Sequence, residues 1–512
     1  MLRGPSPPSK TAGRNKCHAP PMHIGPQILW MVRAVWCTLL IMSRWFRDFA
    51  LIPVGLLLAT LAAAPAGLPA EALVWLRRAN RDAQTLTQGD LLARLAGVQA
   101  QAGEIDNYRR SLGAAQASAK LILDARKQSQ VLIQIAGACL RAQDQAAYQS
   151  NLAAAMDVIG RIQDAVDRGN ACIDLAVAQI KGGDLSGWKR TAQLMPLAYY
   201  RGQIYQAAAA AARSVGAMET CREATRAAHE TMLAMSDPNQ QYALQGDVAR
   251  MYAMTGDWET ATSLAAGIPD LTWRAYAHLK LADEARGAKD TDRARKLLEV
   301  ARQTPLAKMK FGELSVLVRI ADIENDLGDR EDCRKTLQRA AEYADAYINP
   351  AQRALLHYEL AAAQIILGEA EGGAKSLKIA DEARDQIKDP GPGLPAALSQ
   401  RFLDLAQASA SVGDVERAKL FIRDIHDVNQ RMTAYRNVAV LLAQRGRFRQ
   451  AVDVLANVVD EDTRMGTVRD MATAFARDEN NAFLSSWIDS LSNPRERVEV
   501  CLAVIAVKSE KK

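Results

Sequence analysis

Val248-Ala249-Arg250-Met251-Tyr252-Ala253-Met254-Thr255-Gly256-Asp257-Trp258-Glu259-Thr260-Ala261 decides the fold of this chain. Val248, Ala249 and Tyr252 stand at i, i+1 and i+4, which is one apolar face of a helix. Gly256 allows the left-handed conformation that ends a helix, and Asp257 is placed to cap the next one. Ala261, five residues after the glycine, is small enough to let two helices approach closely. The segment therefore predicts a helical hairpin.

The same unit recurs along the chain. An apolar residue followed by alanine appears eleven times, at Leu95-Ala96, Ile135-Ala136, Leu175-Ala176, Ala208-Ala209, Val248-Ala249, Leu281-Ala282, Ile320-Ala321, Leu360-Ala361, Leu405-Ala406, Val438-Ala439 and Met471-Ala472. Seven residues after each alanine comes the turn position. It is glycine at 103, 183, 216, 256, 328, 368, 413 and 446, and Gln143, Lys289 and Glu479 elsewhere. A fixed period of this size marks a stack of helical hairpins. Steps between alanines are 33 residues, or 39–40, with one of 45. The difference of seven is about two helical turns, so long units should have longer helices and not looser loops.

These residues resemble the tetratricopeptide repeat over roughly 80–485, best in the units at 242–269 and 433–460. Tyr205, Phe402 and Tyr435 match the aromatic that opens its first helix, and its closing proline appears only as Pro238, Pro269, Pro305 and Pro350. The resemblance implies an all-α, right-handed α-solenoid of about eleven helix-turn-helix repeats, with first helices lining an inner groove. The final helix, Arg495 to Lys508, lacks a partner in this reading and is expected to be a C-terminal capping helix.

Composition agrees with a helical protein: 49% apolar, 5% aromatic and 24% charged. Seven of the 64 basic and two of the 58 acidic residues fall in 1–72, leaving 57 against 56. That near-neutral body argues against nucleic acid as a partner. Residues 1–41 read as a disordered or over-extended N-terminus, and 42–72 as a signal peptide or signal anchor. The latter holds an uncharged apolar run, Phe49 to Ala64, behind Arg44 and Arg47, with small residues after it. The expectation is export to a periplasmic or secreted location. The alternative is a chain anchored in the membrane through 49–64. The solenoid is expected over 73–389 and 396–512, with a Pro/Gly linker or hinge at 390–395.

No catalytic, cofactor or metal signature stands out. Gly368 to Ser376 falls short of a phosphate loop because Ala374 separates glycine from lysine. His278 and His357 hold equivalent positions in their units, which speaks for packing. Cys139 and Cys172 lie on neighbouring first helices, where one bridge is conceivable; the other thiols read as small core residues. If the resemblance holds, offsets of one and four after the recurring alanine face inward. This makes Arg250, Asp283, Arg286, Asp322 and Asn325 the candidate partner-binding residues. The first units offer Gly97, Ala100, Gly137, Leu140, Val177 and Ile180 there, an apolar end. The function expected is a non-enzymatic exported scaffold or adaptor for a protein or peptide partner, with no cofactor. One alternative is a membrane-tethered assembly factor of the same fold. Another is an enzyme subunit or small-ligand binder using the polar centre of the groove.

Overall fold

The computed structural model describes residues 68–305, 312–388, 391, 393–478 and 481–510. Among these, all regular structure is helical. The helices are numbered here in chain order. First helices are α2 (Gly89–Gln101), α4 (Ala125–Arg141), α6 (Ala165–Lys181), α8 (Ala198–Ser214), α10 (Pro238–Met254), α12 (Leu271–Gly287), α14 (Glu313–Asp326), α16 (Pro350–Ile366), α18 (Leu394–Val412), α20 (Val428–Gln444) and α22 (Glu461–Arg477). Second helices are α3 (Ile105–Leu121), α5 (Gln145–Gly160), α7 (Gly187–Gln193), α9 (Met218–Leu233), α11 (Trp258–Ala266), α13 (Thr291–Arg302), α15 (Arg330–Asp345), α17 (Ala370–Asp385), α19 (Val415–Arg423), α21 (Phe448–Leu455) and α23 (Asn481–Ser490). Two remain: α1 (Ala70–Asp82) at the start and α24 (Pro494–Glu510) at the end.

The hairpins form for the reasons the repeat supplies. All eleven recurring alanines are fully buried. They sit where each first helix meets its neighbours, and a larger side chain there would separate the axes. Every described turn glycine has a positive φ, and so do Gln143 (61°) and Lys289 (62°), which replace it. The two residues after the helix then bond back to it. Gly256 N–H donates to the Ala253 carbonyl and Asp257 N–H to that of Tyr252, both at 3.0 Å. Asp144, Asp257, Asp290 and Asp414 cap the second helices; Asp124, Asp164, Asp237, Asp270, Asn349, Asp427 and Asp460 cap the first.

A second recurring residue holds the opposite edge. In seven cases an Arg or Gln stands four positions after the helix cap, and its side chain donates to a carbonyl at or just past the end of the preceding second helix. Arg168 reaches Ile162 (2.7 Å), Arg201 reaches Pro196 (2.7 Å), Arg274 reaches Ile268 (2.7 Å), Arg464 reaches Leu455 (2.9 Å) and Arg497 reaches Leu491 (2.8 Å). Gln128 and Gln241 do the same to Ala119 and Met232. These bonds tie each helix to the carbonyl-rich end of the one before it, where intrahelical donors run out.

The variable spacing resides in the second helices. First helices α4, α6, α8, α10, α12, α16, α20 and α22 have 17 residues each. In the 33-residue steps, α7, α11, α19 and α21 have 7, 9, 9 and 8 residues. In the longer ones, α3, α5, α9, α15 and α17 have 17 or 16. In these five units the two extra turns are added to the second helix; in the 39-residue step α13 has 12 residues.

The array closes on itself. The helix expected to lack a partner, α24, packs along α1 as a first helix packs along its second helix. It also touches α2. One apolar core runs through this junction, taking in Ala72, Trp75, Leu76 and Ala79 of α1 with Val498, Cys501, Leu502 and Ile505 of α24. Four ion pairs tie the chain ends at the junction: Arg78 with Asp489, Asp82 with Arg497 (2.9 Å), Glu71 with Lys508 (3.3 Å) and Arg94 with Glu499 (2.7 Å). The eleven hairpins are thus joined by a twelfth whose halves come from opposite ends of the chain. Among the described residues the first helix of the array starts at Ala70, where the expectation placed the start at 73.

Across 390–395, Tyr358 and Phe402 meet edge to face at 5.4 Å, and Arg401 pairs with Glu359 at 2.7 Å. The apolar run 49–64 and Glu479 lie outside the described residues, among which no helix is long and apolar enough to cross a membrane.

A side chain in the left-handed region costs about 1 kcal/mol that glycine avoids. Lys289→Gly and Gln143→Gly should each stabilise the chain by about that amount, and Gly256→Ala should destabilise it by a similar amount. Urea midpoints of the three variants check this; a lower midpoint for Lys289→Gly would contradict it.

Candidate functional site

First helices pack against one another in succession, whereas second helices pack on their own first helix and the next one. The first helices are therefore the continuous layer. Arg213 of α8 and Glu284 of α12 form an ion pair across the intervening α10, which places them on the side toward which the array curves. That inner face carries the candidate site.

Charged side chains run along it in a row. The row is centred two residues before the recurring alanine, where Arg94, Asp174, Asp247, Lys280, Arg319, Glu359, Asp404 and Asp470 stand. A residue at +1 lies three further on and shares the face. Neighbouring first helices are bridged in turn: Asp174 with Arg126 (2.9 Å), Asp247 with Lys280 (2.7 Å), Glu359 with Arg401 (2.7 Å), Asp470 with Arg436 (2.8 Å), and Glu499 with both Arg94 and Arg469.

Three of the five candidate residues come together at the centre of this row. Asp283 pairs with Arg286 (3.2 Å) and with Arg319, which also holds Asp322 (2.6 Å). Arg286 extends the cluster to Asp326 at 2.8 Å. Arg250 belongs to the next cluster, 3.9 Å from Glu284, beside Arg213. Asn325 lies one turn beyond Asp322, half-buried, near the end of α14. Arg319, which joins Asp283 to Asp322, was not among the candidates; Glu284, which joins Arg250 to Arg213, counted only among the acids open to the enzyme alternative. The signal for Arg319 was a charge at the −2 position in eight of the eleven units.

The first units are not an apolar end. Arg94 and Asp174 occupy the −2 position there, and the Arg141 guanidinium of α4 lies directly over Gly97 of α2, where a Cβ would collide with it. Ile180 is buried in the core. Gly97 reads as apolar in sequence, but it serves as the floor beneath a charged group.

Burial opposes ionisation along the row. It raises Asp174 and Asp470 and pushes Asp404 up to about 6 despite Arg401. Burial also lowers Arg141 to about 10, helped by the like charge of Arg94. Glu499 and its partner Arg469, raised against burial by that carboxylate, are exceptions. Burial would raise Glu499, but the Arg469 and Arg94 guanidiniums outweigh burial and hold the carboxyl at about 2.

Five thiols and two imidazoles among the described residues are enclosed. Cys139, Cys172, Cys221, Cys333 and Cys501 are free and buried, so the conceivable 139–172 bridge is not formed. Burial pushes the Cys172 and Cys333 thiols up to about 11 and that of Cys501 to about 12. His278 and His357 are buried and lowered by burial; the Nδ1 of His278 is 2.8 Å from the Arg274 carbonyl. Trp188 stacks edge-on with Tyr205, and Arg293 lies over Trp258. Among the described residues, no three His, Cys, Asp or Glu side chains are grouped as metal ligands.

No family model matches this chain, and no curated protein matches it. Among solved structures it is similar to Ton1535 from Thermococcus onnurineus NA1, at 15% identity over 72% of this chain and 96% of that one, with a TM-score of 0.25. It is also similar to the human IFIT1 dimer with m7Gppp-AAAA, at 14% identity over 85% and 93%, TM-score 0.25. A circular tandem repeat protein matches at 13% identity over 86% and 97%, TM-score 0.17. At these scores the likenesses add nothing to what the chain's own geometry shows.

Glu499 yields a test of the row. A carboxyl lowered from about 4.5 to about 2 contributes stability that is present above about pH 4.5 and lost as pH falls toward 2. Glu499→Gln leaves Arg94 and Arg469 buried beside a neutral group, and should cost about 3 kcal/mol at pH 7. Urea unfolding of both proteins from pH 7 down to 2 should show the difference shrinking; a constant difference would contradict the assignment.

Proposed function

We propose that this chain is a non-enzymatic scaffold that binds a protein or peptide partner on the inner layer of its closed array, in the manner of a divergent tetratricopeptide-like protein, after export from the cytoplasm. The observation that carries this reading is the charged row of the first helices. Its side chains are held on rigid helices at regular spacing, each supported by a neighbour, so a bound chain would meet groups already in position. Mixed sign along the row suits a peptide of mixed charge better than a polyanion. The central groups are Asp283, Arg286 and Asp322, with Arg250 and Asn325 flanking them.

One edge of the array adds support for a protein partner. The five most exposed large hydrophobic side chains among the described residues are Leu121, Leu123, Leu233, Ile348 and Val459. All lie where a second helix leads into the next first helix, hence on a single rim. Export rests on the leader, 49–64. If that segment is retained, the same scaffold is tethered to a membrane, and mass measurement of the mature N-terminus distinguishes the two.

The test is a pull-down from the extracytoplasmic fraction with a tagged chain starting at residue 66, which keeps α1 whole. One protein should be retained in stoichiometric amount, and Arg250→Ala, Arg286→Ala and Asn325→Ala should each weaken its binding about 3–10-fold. Binding indifferent to all three changes would remove the inner row from the reading. A bound small molecule in place of a protein would favour the ligand-binding alternative.

A further inference from the structure

The twelfth hairpin differs from the other eleven in one physical respect. Each of those is closed by a short turn, so its two helices cannot part without unfolding that turn. Helices α1 and α24 share no turn; some 400 residues of chain connect them the other way round the ring. They can separate by parting two surfaces. The segment from Ala83 to Gln88 links α1 to α2, and the segment 491–493 links α24 to α23, so neither ties α1 to α24.

The junction is also unusually ionic for its size. Arg78–Asp489, Asp82–Arg497 and Glu71–Lys508 flank the apolar strip of α1, and Arg94–Glu499–Arg469 lies beneath it on the inner face. At the edge, Lys127 of α4 meets Asp462 of α22 at 3.0 Å across both α2 and α24. Ion pairs at the surface weaken as salt rises, whereas apolar contacts do not.

We infer that the ring opens at the α1–α24 hairpin, and that this seam is the gate through which a partner chain reaches the inner helices. The second clause rests on the partner-binding reading above; the first does not. A ring that opens at one seam can take in a polypeptide segment that has no free end.

The protein contains its own reporter. Cys501 is fully buried in α24, and its charged neighbours include Arg78, Arg81 and Asp82 of α1, so its thiol lies under α1. Cys172 and Cys221 are equally buried in turn-closed hairpins. The experiment is pulsed alkylation of the full, native chain with N-ethylmaleimide, with each thiol quantified by mass spectrometry, at about 0.01 M and about 1 M salt, where the screening length falls from roughly 30 Å to 3 Å. Cys501 should react faster than Cys172 and Cys221, and its rate should rise at least about threefold with salt while theirs hold steady. Asp82→Asn, which removes the Arg497 partner, should raise the Cys501 rate at low salt and leave Cys221 unchanged. The proposal is overturned if Cys501 reacts no faster than Cys172 and Cys221, or if salt moves all three alike. Neither outcome depends on a partner, so the gate and the binding function fail separately.

Discussion

Everything in this molecule depends on covering the face of α24 that a second helix would normally cover. A linear solenoid leaves one apolar face open at each end and needs capping helices there. Here the two open faces cover each other. Trp75 and Leu76 enter the core beside Leu502 and Ile505, and Arg94 of the first full repeat reaches the buried Glu499 of the last helix. That arrangement requires the rotation accumulated over eleven repeats to bring the ends into register, which is a demand on every repeat.

The division of labour between the two helix layers meets that demand. Eight of the eleven first helices have 17 residues, all carry a fully buried alanine, and the described turns after them share one left-handed position. Second helices vary between about two and five turns, and the extra residues lengthen the outer layer. The inner layer pays for its tight packing by enclosing charge, and its carboxylates are met by a guanidinium or ammonium from a neighbouring helix or, as at Asp404, from their own. Breaking one member of such a bridge leaves the other buried and unpaired, which makes the row sensitive to point changes and also rigid.

Much of this was legible in the residues. The alanines, the turn glycines and even the left-handed Gln143 and Lys289 could be placed from spacing alone, and seven extra residues could be assigned to helix and not to loop. Such features are local, and a single hairpin specifies them. Closure was not legible, because it is a contact between residues more than 400 apart; α1 was hidden by its nearness to the apolar run 49–64, with which its first turn was grouped. Within the site, Arg250, Asp283, Arg286 and Asp322 were placed on the inner face by their offsets. The charge at −2 was visible but uncounted, and so Arg319 was missed. The role of Gly97 could not be read at all, since it depends on Arg141 in the following repeat.

Closure is tested most directly by zero-length carbodiimide coupling, which joins an amine to a carboxylate only where they touch. In the monomer, peptides linking Glu71 to Lys508 and Lys127 to Asp462 should form, alongside the internal references Asp247–Lys280 and Lys189–Glu223. Formation of the references without either end-to-end link, or end-to-end links confined to dimers, would contradict a ring closed within one chain.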